Sequence, residues 1–225
     1  MSQLDSPAIN DNRRYDYTEF PDEDRKEYSI IVDYIQPNSR VLDLGCGNGM
    51  LLARLQKEKQ VQGVGLEISE SGVEICRKRG LNVQYGRIDE TLPFKDNEFD
   101  YAVCNVTIQM VMYPEVLLKE MKRVSRYQII SFPNFAFWKN RLDLLVNGRM
   151  PKRMLFGYSW YSTGHIHQLS IADFEQLLDS VGGLTIATRW VDRSSIFFRN
   201  YLNILFPNLF QLLAVFLVKK NESSR

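Results

Sequence analysis

Asp43 is the first residue whose chemistry stands out. It interrupts an otherwise apolar run, Val41-Leu42-Asp43-Leu44, directly before a loop of alternating glycines, Gly45-Cys46-Gly47-Asn48-Gly49. A short apolar run led by a β-branched residue suits a buried strand of a parallel sheet. Helical spacing resumes at Met50, Leu51, Leu52, Arg54 and Leu55. Glycines between a strand and a helix admit positive φ and let the main chain pass close to a ligand. The pattern marks a nucleotide-type pocket at the carboxyl edge of a sheet, where the crevices of open α/β folds lie.

Two further acids fall at the ends of later strands. Glu67 closes the run Val61 to Leu66, and there it can accept both hydroxyls of a ribose or stand as a solvated surface acid. Asp89 follows Leu81 to Tyr85 and can accept from an adenine amino group while Ile88 packs on the ring, or cap a turn. A nicotinamide-type fingerprint is disfavoured: it wants glycine or alanine where Met50 stands, and it does not require Asp43.

His165 and His167 are the only histidines, spaced so that a strand would put both on one face. No cysteine or acid nearby completes a metal site, so pocket lining or core hydrogen bonding is the favoured role and no metal is expected. Trp160 and Tyr161 either shape a substrate pocket or pack. Lys139, Arg141, Arg149, Lys152 and Arg153 form a basic stretch, read as a solvated face because no nucleic-acid module accompanies it.

The elements that must position these groups alternate. Helical spacing at Tyr28, Ile31, Val32 and Ile35 follows the acids Asp22, Glu23 and Asp24 and ends at Pro37. Beyond the first strand, loop and helix, the chain reads as a strand closing on Glu67, a helix from Glu70 to Gly80 and a third strand, Leu81 to Tyr85. Phe99 to Cys104 is the fourth strand. Pro114 opens a helix with Leu117, Leu118, Met121 and Val124 on one face, and Tyr127 to Phe132 is the fifth strand. This alternation predicts a doubly wound, mostly parallel sheet. The rhythm breaks at Asn134, and residues 134 to 168 read as an aromatic insertion placed where a lid would sit. Ser170 caps a helix closed by Gly182-Gly183, and Leu184 to Trp190 and Leu213 to Val218 are two last strands that could be antiparallel neighbours.

Composition narrows the classes. The 225 residues suffice for one core, and 28 basic against 27 acidic residues leave a net charge of +1, with no global field toward nucleic acid. Three cysteines without a C-x-x-C pair suit reduced thiols in a cytoplasmic protein. Cys46 is read as packing. The apolar stretch Ile196 to Phe216 is long enough to span a bilayer, but Arg199, Asn200, Asn203, Pro207, Asn208 and Gln211 interrupt it, so no membrane span is expected. Residues 1–21 and 221–225 are read as flexible tails flanking one domain at 22–220.

Val41 to Gly49, Glu67, Asp89 and the segment Leu92 to Asp100 together resemble the class I S-adenosylmethionine-dependent methyltransferases. More specifically, Ser131-Phe132-Pro133-Asn134-Phe135, Asn147-Gly148-Arg149-Met150-Pro151, Tyr161 to His167, Phe206-Pro207-Asn208-Leu209 and Ala214-Val215-Phe216-Leu217 resemble the methionine-biosynthesis MetW family. The similarity covers roughly residues 25 to 219. It implies a seven-stranded Rossmann-like sheet with its last strand antiparallel. It implies S-adenosylmethionine as cofactor, with its methionine end at Asp43, Gly45, Cys46 and Gly47, its ribose at Glu67, and its adenine at Ile68, Ile88 and Asp89. Asn105 would face the methionine moiety, and Tyr161, His165 and His167 would be open to a substrate. It further implies a role beside a homoserine O-acetyltransferase, supporting or tuning it, with small-molecule methyl transfer as the alternative.

Overall fold

The computed structural model describes residues 16–18, 25–152, 160, 164–192 and 197–221. The expected acidic start at Asp22, Glu23 and Asp24 lies outside them, as do Arg153 and Tyr161. Helix α1 (Lys26–Tyr34) leads into β1 (Arg40–Leu44), α2 (Met50–Lys59), β2 (Gln62–Glu67), α3 (Glu70–Lys78), β3 (Val83–Tyr85) and β4 (Phe99–Asn105). After a single 3-10 turn at Ile108–Met110 come α4 (Pro114–Val124), β5 (Ser125–Pro133), α5 (Trp138–Asn147) and α6 (Ile171–Val181). The chain then forms β6 (Leu184–Arg189), α7 (Phe197–Leu205), α8 (Pro207–Phe210) and β7 (Leu213–Lys220).

The seven strands form one sheet in the order β3-β2-β1-β4-β5-β7-β6. Strands β1 to β5 pair in parallel, and β7 inserts antiparallel between β5 and β6. The doubly wound reading and the antiparallel last strand both hold. The third strand is shorter than expected, because Leu81 turns its N–H to Cys76 O and closes α3 instead of joining the ladder.

Strand periodicity sorts the core into two layers. Val41, Tyr101, Val103, Ile129 and Val215 pack on one side of the sheet with Tyr28, Ile31 and Leu55 of α1 and α2. Their neighbours Leu42, Leu44, Ala102, Cys104, Ile130, Phe132 and Phe216 face the other way, against Leu117, Met121 and Phe174 of α4 and α6. Because both faces are covered, central strands read as near-continuous apolar runs. Phe132, Phe174 and Phe216 form a fully buried trio with centroids 4.9 to 6.0 Å apart.

Helix starts follow the expected chemistry. Ser170 accepts from Asp173 N–H while the Asp173 carboxylate accepts from Ser170 N–H, a reciprocal cap on α6. Pro114 occupies the first turn of α4. In the C-terminal stretch Pro207 separates two short helices, and no described helix is long and apolar enough to cross a membrane.

Sheet register sets the site. Asp43 pairs with Gly65 on one side and Val103 on the other, and Leu44 with Leu66. The carboxyl ends of β1, β2 and β4 therefore reach one edge together, carrying Asp43, Glu67 and Asn105.

Candidate functional site

The glycine loop is held down by β2. Gly45 N–H donates to Leu66 O at 2.8 Å and Gly49 N–H to Cys46 O at 2.9 Å. Gly45, Gly47 and Gly49 all have positive φ, between 57° and 78°, which a side chain would strain. Space is short as well: a Cβ on Gly45 would lie 2.7 Å from Thr107 Cγ2, and one on Gly47 would lie 3.2 Å from Tyr17 Cε1. Two neighbouring segments thus rest directly on the bare backbone of the loop.

Asp43 is 2% exposed, and its Oδ2 has no hydrogen-bond partner among the described residues. Burial, and then the nearby charge of Glu67, push its pKa up to about 7. An acceptor so placed suits a donor-bearing or cationic ligand group.

Glu67 is buried, so it is not a solvated surface acid. Its Oε2 accepts from Gly47 N–H at 2.7 Å and its Oε1 from Ser69 N–H at 2.9 Å. Asp89 is buried too. It takes Met112 N–H at 2.8 Å on Oδ2 and an ion pair from Arg87 at 3.0 Å on Oδ1, bracing the turn before α4. The capping alternative for Asp89 thus describes its bonds here, although the turn it braces is distant in sequence.

Asn105 Oδ1 accepts from Ser131 Oγ at 2.5 Å, tying the ends of β4 and β5. Val106 follows at φ 50°, an uncommon conformation for a β-branched residue, and donates its N–H to Ser131 O and Oγ. This strained turn projects Thr107 onto Gly45. Ile68 is half-buried, whereas Ile88 is drawn into the core with Leu66, Leu92 and Val111. The side chain of Cys46 points into a separate apolar cluster with Leu52, Val73, Cys76 and Val83, as the packing reading expected. A hydrogen bond to Cys76, and then burial, drive its thiol pKa well above the ordinary range. All three cysteines are free and buried.

His165 and His167 do not lie on a strand, as their spacing suggested. Ile166 and His167 instead give their N–H groups to a single acceptor, Gln109 O, at 2.9 and 3.0 Å, which leaves no ladder to join. Both histidines still reach one cleft. Among the described residues no cluster of three or more metal-ligating side chains occurs.

Three residues at this edge went unnoticed in the sequence. Tyr17 sits in a stretch read as flexible tail, yet its N–H donates to Ser71 Oγ at 3.0 Å and its ring covers Gly47 and Gly72. Thr107 carries no signal by type. Gln109 does carry one, as a polar residue inside the apolar run Ile108 to Met112.

Comparisons with known proteins agree with this fold. The family described as methionine biosynthesis protein MetW matches residues 25–218. A bifunctional methionine biosynthesis protein MetXA/MetW of Rhodopirellula baltica is 38% identical over 158 residues, 66% of this chain and 25% of that protein. An uncharacterized protein of Methanocaldococcus jannaschii is 31% identical over 112 residues, 48% of this chain and 52% of its own. The chain thus spans a quarter of one relative and about half of the other. Among solved structures, a methyltransferase of Thermotoga maritima described as a possible histamine N-methyltransferase aligns with TM-score 0.58 and 20% identity, over 87% of each chain. The magnesium protoporphyrin IX methyltransferase of Synechocystis with bound SAH aligns with TM-score 0.60 and 18% identity, over 87% of this chain and 83% of that one. At such identities the structures establish the shared Rossmann-like methyltransferase fold, while the family match over residues 25–218 goes further: the chain belongs to the methionine biosynthesis protein MetW family.

Proposed function

We propose that this chain binds S-adenosylmethionine at Asp43, the glycine loop and Glu67, and that it supports or tunes a homoserine O-acetyltransferase in methionine biosynthesis. The observation that carries the cofactor half is the orphaned, buried Oδ2 of Asp43 beside three positive-φ glycines. The ammonium of the ligand's methionine end would supply the missing donor. Glu67 fits a ribose by its place at the carboxyl end of β2, where its carboxylate also holds Gly47 N–H and Ser69 N–H. Asp89 would keep its Arg87 and Met112 bonds and offer an adenine amino group what remains. Cys46 would contribute through its main chain alone. When bound, the cofactor would supply an activated methyl group.

Fusion of MetXA and MetW in one relative supports the partner half, since fused segments act at high effective concentration. Helix α5 offers a surface for such a partner: Leu142, Leu145 and Val146 share a face and are 50, 82 and 70% exposed. Cytoplasmic residence follows from this role. Calorimetry with S-adenosylmethionine tests the first half, and co-purification with the acetyltransferase, with and without the cofactor, tests the second. Absence of binding refutes the one, and absence of any complex the other.

Small-molecule methyl transfer is the second reading, favoured by the polar cleft that His165 and His167 line beyond β4 and β5. Labelled cofactor with candidate acceptors would decide it: tight cofactor binding without labelled product rules it out.

A further inference from the structure

Asp43 and Glu67 are both buried at the carboxyl ends of the neighbouring strands β1 and β2, but their surroundings differ. Glu67 holds Gly47 N–H at 2.7 Å on one oxygen and Ser69 N–H at 2.9 Å on the other. Donors on both oxygens favour the ionised carboxylate. The Oδ2 of Asp43 has no hydrogen-bond partner among the described residues. Two acids so close and so buried resist ionising together, so Glu67 keeps the charge and Asp43 keeps a proton.

The titratable groups acting on Asp43 and sharing its field come from several elements: Glu67 from β2, Cys104 from β4, Cys46 from the glycine loop and Cys76 from α3. Tyr17 lies over the same loop at Gly47. Burial pushes the Cys104 thiol up to about 12. The hydrogen bond between Cys46 and Cys76 drives the Cys46 thiol far up and lowers that of Cys76, on which Arg79 also acts. Cys76 is therefore the neighbour whose proton must be told apart from that of Asp43.

A ligand ammonium at Oδ2 reverses the balance on Asp43. It brings a donor and a positive charge to an oxygen that lacks both, and the ionised carboxylate becomes the favoured form.

We propose that this pocket exchanges a proton for its ligand: as the ammonium of a nucleoside cofactor's amino-acid end docks on Asp43, the carboxyl proton leaves to solvent. The O–H bond breaks, its electron pair stays on the carboxylate, and a neutral carboxyl plus one ammonium become an ion pair plus one free proton. The identity of the ligand rests on the S-adenosylmethionine reading above. The consequence is regulatory, because occupancy then rises with pH through the titration of Asp43.

Calorimetry of the full chain with S-adenosylmethionine at pH 6 and pH 7, in phosphate and in Bis-Tris, counts the protons, since the two buffers differ in heat of ionisation. Both pH values lie below the range of about 7.7–8.0 in which an α-amino group titrates. With the Asp43 carboxyl at about 7, the expected release is about 0.9 proton per site at pH 6 and about 0.5 at pH 7, with affinity about fivefold tighter at pH 7. Asp43→Asn should abolish the release and Cys76→Ser should keep it. Release that survives in Asp43→Asn, or is lost in Cys76→Ser, overturns the proposal. Binding by the unaltered protein with no release, or with affinity that falls as pH rises, overturns it whether or not either variant folds, and leaves the cofactor reading standing. Absence of binding at both pH values refutes the cofactor reading and the proposal with it.

Discussion

Glu67 at the end of β2 accepts the N–H of Gly47 at 2.7 Å, so the acid expected to meet a ribose also holds the glycine loop in shape. One side chain thereby couples loop geometry to ligand binding. Glu67→Ala should weaken S-adenosylmethionine binding by about 1.5–3 kcal/mol and leave the Gly47 and Ser69 amides unpaired. Calorimetry reads the first effect, and faster amide exchange at Gly47 and Ser69 the second. Unchanged affinity with faster exchange would leave Glu67 a structural brace only.

Asp43 gives the chain a pH dependence of a definite sign. The folded protein keeps this carboxyl protonated up to about pH 7, whereas an unfolded aspartate ionises near 3.8. Between those values the folded state binds the extra proton. The group's stabilising contribution is therefore full below pH 3.8 and is lost as pH rises through about 7. Asp43→Asn, which mimics the protonated form, should gain stability over the unaltered protein from pH 5 to pH 8, by at most about 3 kcal/mol. Paired urea titrations at pH 5 and pH 8 measure it, and a pH-independent difference would refute it. The same variant should lose affinity for a cationic ligand.

Thr107 fills the space that a side chain at Gly45 would need, 2.7 Å from the position of its Cβ, in a backbone at φ 75°. Gly45→Ala therefore meets two obstacles, strain and collision. The strain costs about 1–3 kcal/mol. Thr107→Ala should relieve the collision but leave the strain. A double-mutant cycle by urea denaturation should thus show a favourable coupling of roughly 0.5–3 kcal/mol, and strict additivity would mean that Thr107 moves aside freely.

Strand periodicity, the loop glycines and the Ser170 cap were legible in the sequence because each is a local pattern with a local cause. The place of Asp43 and Glu67 at the strand ends was legible for a related reason: each acid falls at the end of a short apolar run. The partners of these groups were not legible. Asp89 binds Met112 N–H across 23 residues, and Gln109 gathers two amides from residues 166 and 167. Such bonds depend on which loops the sheet order brings together, which period and composition do not encode. Tyr17 was missed for the same reason, since a polar N-terminal stretch shows no amphipathic period even where it packs.

Tyr17 itself can be checked directly. Its ring covers Gly47 and Gly72, and its N–H is held by Ser71. Tyr17→Ala should speed amide exchange in residues 45–49 while leaving β4 and β5 protected, because only the loop loses its cover. Identical exchange in both proteins would mean that Tyr17 does not cover the loop.

Exposed apolar residues on α5 supply the last test. Leu145 and Val146 are 82 and 70% exposed, so replacing them removes almost no burial from the folded chain. Leu145→Asp should shift stability by no more than about 0.5 kcal/mol. If α5 is the face that a homoserine O-acetyltransferase covers, the same change places an unpaired carboxylate in a desolvated contact and should weaken the complex by at least about tenfold, read by sedimentation or pull-down. A stable variant that still forms the complex at full affinity would move the interface away from α5, and the exposed ends of α7 and β7 at Ile204, Phe206 and Leu212 would be the next surface to charge.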